Sequence, residues 1–291
     1  VHVMYQVSEE KAWRLVVTHD DTRARELYDD FSYFEKNTWL YPARDLLFYS
    51  SDIHGNLLTR QRMQVFKHLM EDAGGTVVTT VDGLMDHLLP LSMMKERRIL
   101  VESGEVLDIG DMKERLRDLG YERTGQVDGM GQFSIRGGII DIFPYTQESP
   151  YRIELWGDEI DSIRSFDKES QRSIEEVDAL TIYPASEIIL NQPRIEHGLR
   201  NMEEDYEKLS QKFKKDDQEA RLRKEMDRVR EELRELHMLI GVEGYLPYFY
   251  ENTECILDYF PEESMIYMDE PKHIRERADA FYLEFSESMK S

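Results

Sequence analysis

Cysteine is nearly absent from this sequence of 291 residues, because Cys255 is the only one. A single cysteine excludes an internal disulfide and any zinc cluster built on cysteine ligands, and it suits a reducing cytoplasm. A metal ion would need histidine and carboxylate ligands instead. Long apolar runs are also missing, since no stretch approaches the ~20 residues that a membrane helix requires. We therefore expect a cytoplasmic protein that does not span a membrane.

Basic residues are few relative to acidic ones. The sequence has 37 lysines and arginines against 60 aspartates and glutamates, which gives a formal net charge of −23. This excess of negative charge repels a nucleic-acid phosphate backbone unless basic residues gather on one face of the protein. The composition therefore favours protein partners over nucleic acid. The first residue is Val1, with no initiator methionine and no signal sequence, so we expect a piece of a longer chain.

The common catalytic motifs are absent too. No G-x-x-x-x-G-K-[ST] stretch occurs, so no glycine loop with a following lysine is available to hold phosphates. The zinc-protease motif H-E-x-x-H and the hydrolase motif G-x-S-x-G are missing as well. We predict no catalytic residue and no metal or cofactor for this chain.

Asp269 and Glu270 follow an apolar stretch at 265–268 that reads as a buried strand. Carboxylates at such a strand end bind Mg²⁺ in nucleotide hydrolases, so the pair could be the remnant of a nucleotide site. An acidic pair before Pro271 is more often a helix cap, and Pro271 is well placed to open the last helix. Without a phosphate-binding loop, we expect this chain neither to hydrolyse ATP nor to bind it tightly.

What is present divides into three parts. Up to about residue 90, apolar strands alternate with helices, which predicts a parallel sheet covered by helices. The strands are predicted at 15–17, 39–41 and 77–81. The helices are predicted at 22–31, at 57–70 and toward Leu89, and Asp20 or Asp21 would cap the first of them. Consecutive strands then follow one helix at 111–119 and predict a separate α+β unit. These strands are predicted at 131–136, 139–143, 151–156 and 159–166.

The third part, residues 194–240, is rich in charge and contains two apolar series at helical spacing. The first runs from Leu199 to Phe213 and the second from Leu222 to Ile240, and the two are out of phase. The polar residues 214–217 lie between them. We therefore predict two helices with a break at 214–217.

The stretch GQFSIRGGIIDIFP, at 131–144, poses the main functional question, because Arg136 stands directly before Gly137-Gly138. One interpretation is that Arg136 pairs locally with Asp141 or Glu154, with the phenylalanines of the stretch in the core. The other is that it is displayed, together with Arg123, for a protein partner, since arginine matches carboxylates and is enriched with aromatic residues at interfaces.

Four stretches together carry a family resemblance: GQFSIRGGIIDIFP, YRIELWGDEIDSIRSFD, KESQRS and YPASE. They strongly resemble the amino-terminal module of the bacterial transcription-repair coupling factor family, Mfd, which is itself similar to the excision repair protein UvrB. The resemblance covers most of residues 10–190 and resumes at YMDE, 267–270. It implies an α/β fold in which a degenerate helicase-like, P-loop NTPase-like parallel-sheet domain, 1–88, is completed by 183–291. An inserted α+β domain that binds UvrA would span 89–182.

The resemblance also implies function. The chain would recruit UvrA during transcription-coupled nucleotide excision repair, without being an enzyme itself. A longer parent would be a DNA translocase that uses ATP and Mg²⁺, contacts RNA polymerase and double-stranded DNA, and could mask the UvrA surface. The implied contact residues are Arg136, Arg123, Phe133, Ile140 and Phe143. Ser134 replaces a second arginine of the UvrB pattern. The alternative is a fragment of a UvrB-type, ATP-dependent protein that recognises DNA damage.

Overall fold

The computed structural model describes residues 1–8, 12–44, 52–210, 216–233 and 242–288. The chain groups into two compact units. Unit 1 comprises Val1–Asp86, Leu91–Glu187 and Cys255–Ser291, and unit 2 comprises His87–Pro90 and Ile188–Glu254. This grouping does not test the predicted boundaries of the inserted domain, which stay a prediction.

Within the described residues the strands, β1 to β12 in chain order, are Trp13–Thr18, Thr38–Tyr41, Gly75–Thr80, Ile99–Glu102, Glu122–Arg123, Gln132–Arg136, Ile139–Phe143, Tyr151–Trp156, Glu159–Phe166, Ser173–Val177, Ala179–Ile182 and Met265–Met268. The α-helices, α1 to α10, are His2–Val7, Asp21–Phe34, Asp52–Glu71, Val81–Leu84, Leu91–Glu96, Ile109–Asp118, Gln192–Ser210, Asp216–Glu231, Leu246–Phe249 and Pro271–Ser288. Short 3-10 helices span Val242–Tyr245 and Ile256–Tyr259. None of these helices is both long and apolar enough to cross a membrane.

The predicted mixed α/β class is confirmed, with one parallel sheet and separate antiparallel sheets. The parallel sheet has the strand order β12-β1-β3-β2. Every residue of β1 and β3 is buried, as is typical of central strands in a parallel sheet. Helix α2 begins after Asp20, whose carboxylate accepts a hydrogen bond from the backbone N–H of Arg23 at 2.8 Å, so the predicted cap is confirmed. The helix predicted toward Leu89 is shorter than expected, because α4 ends at Leu84.

Strand β12 corrects one expectation. The strand itself is confirmed, with Arg14 of β1 opposite Met265. Its predicted burial is wrong, since Ile266 and Met268 are 44% and 60% exposed. β12 lies at the edge of the sheet, where one neighbour is missing, and an apolar sequence alone does not distinguish an edge strand from a central one. Helix α10 begins at Pro271, as predicted.

The segment between β3 and β12 in the chain carries the antiparallel sheets. One sheet has the order β10-β9-β8-β7-β6-β5, in which the edge strand β5 pairs in parallel with β6, and the other sheet pairs β11 with β4. Helix α6 contributes Met112 and Leu116 to a core that also contains Phe133 and Ile153 of the six-stranded sheet. The helix predicted at 111–119 and the four strands predicted between 131 and 166 are confirmed, whereas β4, β5, β10 and β11 were not predicted.

A buried network of ion pairs joins helix α3 to the residues after β11. Arg62 is 1% exposed. It donates to Glu187 through Nε at 2.6 Å and Nη2 at 2.8 Å, and to Asp86 through Nη1 at 2.7 Å. Arg44 donates to the same Glu187 at 2.7 Å. Burial alone would raise the pKa of Glu187, but the charges of Arg44 and Arg62 outweigh it and lower that pKa.

Helices α7 and α8 belong to unit 2 and pack against each other. Arg230 Nη2 of α8 lies 2.6 Å from Glu203 Oε1 of α7. One continuous helix would hold these two residues about 40 Å apart, at about 1.5 Å per residue. The prediction of two helices is therefore confirmed. Of the predicted break at 214–217, residues 214 and 215 lie outside the described residues, whereas Asp216 and Asp217 already belong to α8, so the break does not extend to them. Phe213 of the first apolar series and Leu236 and Ile240 of the second also lie outside the described residues.

Candidate functional site

The six-stranded sheet has one apolar face and one polar face. Cross-strand register sets Phe133 opposite Ile142, and Ile140 opposite Ile153, on the face that packs into the core with α6. Because side chains alternate along a strand, the residues between them lie on the other side. We call that side the polar face, and its residues are Ser134, Arg136, Ile139, Asp141, Arg152, Glu154, Trp156, Ser162, Arg164 and Glu176.

The buried carboxylate of Asp141 organises the polar face. Its side chain is 1% exposed, and it accepts hydrogen bonds from Arg136 Nη2 at 2.6 Å, Arg152 Nε at 2.7 Å and Arg152 Nη2 at 3.0 Å. The Arg152 guanidinium lies 4.7 Å from the ring centre of Phe166. Hydrogen bonding to Asp141 raises the pKa of Arg152 above its ordinary value. Two positive charges therefore surround one buried negative charge at this position.

Arg136 confirms the local one of the two interpretations that the sequence left open, and its display for a protein partner stays a prediction. It pairs locally with Asp141, as one of them proposed, and yet 49% of its side chain remains exposed. Glu154 does not take part, since it lies 3.7 Å from Arg164 instead. The contact to Asp141 uses one terminal nitrogen of a guanidinium that has five N–H donors. The remaining donors are held in a fixed orientation next to solvent.

The turn at Gly137-Gly138 brings Arg136 to the end of a hairpin. Gly137 has φ +62°, a left-handed conformation that glycine adopts without steric cost. A Cβ at Gly138 would lie 3.1 Å from the carbonyl oxygen of Leu155, and that same residue donates its N–H to the Gly138 carbonyl at 2.8 Å. The glycines therefore allow a close turn against β8.

Arg123 is exposed, but it lies apart from this arrangement. It belongs to the short edge strand β5 and is in register with Phe133 of β6, whose side chain points to the apolar face. By strand alternation, Arg123 and Arg136 lie on opposite faces of the sheet. In the described part of the chain Arg123 has no ion-pair partner. The structure therefore does not bring the two predicted arginines together on one surface.

Three predicted contact residues are buried. Phe133 and Ile140 are both 0% exposed and belong to the apolar core, and Phe143 is 4% exposed. Their prediction as direct partner contacts is corrected, because a side chain without exposed surface cannot touch a docking protein. The sequence shows an apolar stretch around Arg136 but does not say which of its residues point inward. These residues support the strands that position Arg136.

Trp156 is the surface feature that the sequence analysis missed. It is 85% exposed and lies at the end of β8 on the polar face, one residue before Gly157. A large exposed aromatic side chain is uncommon on an ordinary surface and is typical of binding sites. The sequence does contain an indication of this position, because Trp156 follows Arg152 and Glu154 at two-residue spacing and so lies on the same face of the strand. Arg152 and Arg164 were missed for a different reason, because their role depends on strand register.

Asp269 and Glu270 have separate surroundings. Asp269 accepts a hydrogen bond from Arg23 Nε at 2.8 Å and another from Thr18 Oγ at 3.3 Å. The hydrogen bond from Arg23 lowers the pKa of Asp269 below its ordinary range. Glu270 has φ +57° and lies 3.0 Å from Nδ1 of His273. The Asp269 carboxylate thus already forms an ion pair with Arg23.

Comparisons with known proteins test the predicted family resemblance. Residues 99–188 match the family model described as the UvrB interaction domain. The chain is 32% identical over 274 residues to a transcription-repair-coupling factor of Bacillus subtilis, and 30% identical over 283 residues to that of Staphylococcus aureus strain MRSA252. The predicted resemblance is confirmed. These alignments cover 94% and 93% of this chain but 23% of each relative, so the chain spans about a quarter of their length.

The UvrB interaction domain match contains the whole polar face. All of its residues, from Ser134 to Glu176, lie inside 99–188, together with Arg123. Asp269 and Glu270 lie outside the match. The surface with the exposed arginine and tryptophan is therefore part of the region that the family model describes.

Proposed function

We propose that this chain is a protein-binding module that recruits UvrA through the polar face of its six-stranded sheet. The observation that carries the proposal is Arg136. Its guanidinium is anchored on the buried Asp141, half of its side chain is exposed, and the UvrB interaction domain match includes it. Trp156 on the same face supplies exposed aromatic surface.

The geometry favours recognition of a carboxylate on the partner. An arginine that is free in solution loses side-chain freedom when it binds, which opposes association. The 2.6 Å contact with Asp141 holds Arg136 in place beforehand and so reduces this loss. Its remaining donors can then form charge-assisted hydrogen bonds with an acidic group of UvrA. Trp156 would exclude water beside that contact, which strengthens the ion pair.

The wider role follows the relatives that the chain resembles. Proteins named transcription-repair-coupling factor match nearly the whole chain, so we propose that UvrA recruitment serves transcription-coupled nucleotide excision repair in the cytoplasm. RNA polymerase and double-stranded DNA would be contacted by other parts of a longer parent, whose translocase would use ATP and Mg²⁺. The parent could also mask the polar face until repair begins. In this scheme the parallel sheet is the degenerate helicase-like, P-loop NTPase-like domain, 1–88 completed by 183–291, and 89–182 is the insertion.

Titration of the purified chain into UvrA by calorimetry tests the proposal. We expect saturable binding with a stoichiometry of one chain per UvrA site. A fragment of residues 89–188, if it folds by circular dichroism, should bind with similar affinity, because the polar face lies entirely within it. Absence of binding by the complete chain would contradict the proposal.

The purified chain is expected not to turn over ATP. Asp269 is paired with Arg23 at 2.8 Å, so it is not free to bind Mg²⁺, and the sequence lacks the glycine loop and lysine that hold phosphates. Phosphate release with excess Mg²⁺ and DNA is the measurement. Steady turnover that Asp269→Asn abolishes would instead favour the UvrB-type alternative.

A further inference from the structure

Three side chains with metal-binding atoms meet at the carboxyl ends of two neighbouring parallel strands. His19 follows β1, Glu270 follows β12, and His273 lies in the first turn of α10. One ligand atom from each lies within 4.8 Å of the others. No local sequence pattern connects them, because about 250 residues separate His19 from the other two. Ligand sites in open parallel sheets typically occur at this end of the strands.

The distances between these atoms suit a tetrahedral ion. Glu270 Oε2 lies 3.6 Å from His19 Nδ1 and 3.0 Å from His273 Nδ1. An ion bound tetrahedrally at about 2.1 Å from nitrogen and oxygen ligands sets neighbouring ligand atoms about 3.4 Å apart. The two observed distances lie on either side of that value. The third pair of ligand atoms, from His19 and His273, lies within 4.8 Å, so side-chain rotation would have to bring it to the same spacing.

Asp20 gives His19 the tautomer that a metal ligand needs. Its Oδ2 lies 2.9 Å from His19 Nε2, so Nε2–H donates to the carboxylate and the lone pair of Nδ1 faces Glu270. A carboxylate that accepts from the outer nitrogen of a ligating histidine is a recurrent feature of zinc sites. In this tautomer Nδ1 offers its lone pair toward Glu270 Oε2 and toward Thr18 Oγ1, which lies 3.4 Å away. A metal ion between Nδ1 and the carboxylate would accept lone pairs from both, as a proton on Nδ1 would.

We propose that His19, Glu270 and His273 bind a divalent transition-metal ion, for which Zn²⁺ is the probe of choice. Two imidazoles and one carboxylate form an open three-ligand set, and water takes the fourth position. His273 then carries its proton on Nε2 and presents Nδ1 to the ion. Glu270 and His273 are about half exposed, so an ion can enter from solvent. The bound ion would crosslink the end of β1 to the junction between β12 and α10.

Zinc titration of the complete chain, stripped with EDTA and competing with a chromophoric chelator, tests this site. We expect one tight equivalent of Zn²⁺. Substitution of an outer-shell partner typically costs about 10- to 100-fold in affinity, so removal of a ligand in His273→Ala should cost at least about 100-fold. His87→Ala is the matched control, because His87 is an exposed histidine of unit 2, and it should bind as the wild type does.

Two further variants separate metal binding from folding. Asp20→Asn preserves the cap of α2, since asparagine caps as well as aspartate, but presents an amide to His19 Nε2 and should weaken Zn²⁺ binding by about 10- to 100-fold. Glu270→Gln removes the charged ligand and decides the question if His273→Ala fails to fold. Co²⁺ in the wild type should give the strong visible absorption of a tetrahedral site. Equal Zn²⁺ affinity of wild type and Glu270→Gln would overturn the proposal and leave Glu270 and His273 as a helix-end pair.

Discussion

Arg136→Ala is expected to weaken UvrA binding by about 30- to 5,000-fold, which corresponds to about 2–5 kcal/mol for truncating one partner of a buried, hydrogen-bonded charge pair. The loss arises because the acidic group on UvrA would be desolvated without its cation. The fold should change little. Asp141 keeps both of its oxygens bonded to Arg152, so the buried carboxylate stays paired after Arg136 is removed. Calorimetric titration and thermal unfolding of the same samples measure the two effects.

Three control variants make this experiment specific. Arg117→Ala removes an exposed arginine of α6 in the same domain and should leave UvrA binding unchanged. Arg123→Ala should have a smaller effect than Arg136→Ala, because Arg123 lies on the other face of the sheet. Arg152→Ala removes two of the three hydrogen bonds to Asp141 and should lower the free energy of unfolding by about 1–3 kcal/mol. Wild-type affinity of the Arg136 variant would remove this residue from the interface.

Arg62→Met is expected to have the largest effect on stability. Arg62 is buried and forms ion pairs with the buried Glu187 and the partly buried Asp86, so its removal leaves both carboxylates with less compensation. Breaking a buried pair in this way costs about 3–5 kcal/mol. Urea unfolding followed by tryptophan fluorescence suits the measurement, because Trp13 and Trp39 lie in the same unit as Arg62.

Arg60→Met is the matched control for that substitution. Arg60 lies on the same helix and pairs with Glu148, whose side chain is 83% exposed. An exposed pair of this kind contributes about 0–1 kcal/mol, so the urea midpoint should hardly move. If both variants unfold at the wild-type midpoint, the network around Glu187 does not hold α3 in place.

The sequence predicted those elements whose pattern is local. The β1, α2 and β6 to β9 segments were found because alternation or helical spacing identifies them without knowledge of their neighbours. β10 was not predicted because its residues Ser173 to Glu176 are all exposed and so show no apolar alternation. β5 was not predicted because it has only two residues. The edge position of β12 was missed because it depends on which strand pairs with β1.

The candidate site shows the same limit. Arg136 was recognised from its position beside two glycines, but its anchor Asp141 has a second partner, Arg152, that only strand register reveals. Phe133 was taken for a contact because a sequence does not state which face of a strand is covered. The Arg62–Glu187 pair joins residues 125 positions apart, and no local pattern indicates a contact at that separation.

The pairing of β1 with β12 has a consequence for how the chain is made. Arg14 and its partner Met265 are about 250 residues apart, and a ribosome adds roughly 5–20 residues per second. The first strand therefore emerges from the ribosome about 12–50 s before the strand that covers its flank. During this time β1 presents unpaired backbone groups to the cell, a state that invites wrong strand pairing. Slow synthesis across residues 91–264 would lengthen that exposure, so codon usage in this stretch bears on the yield of folded protein.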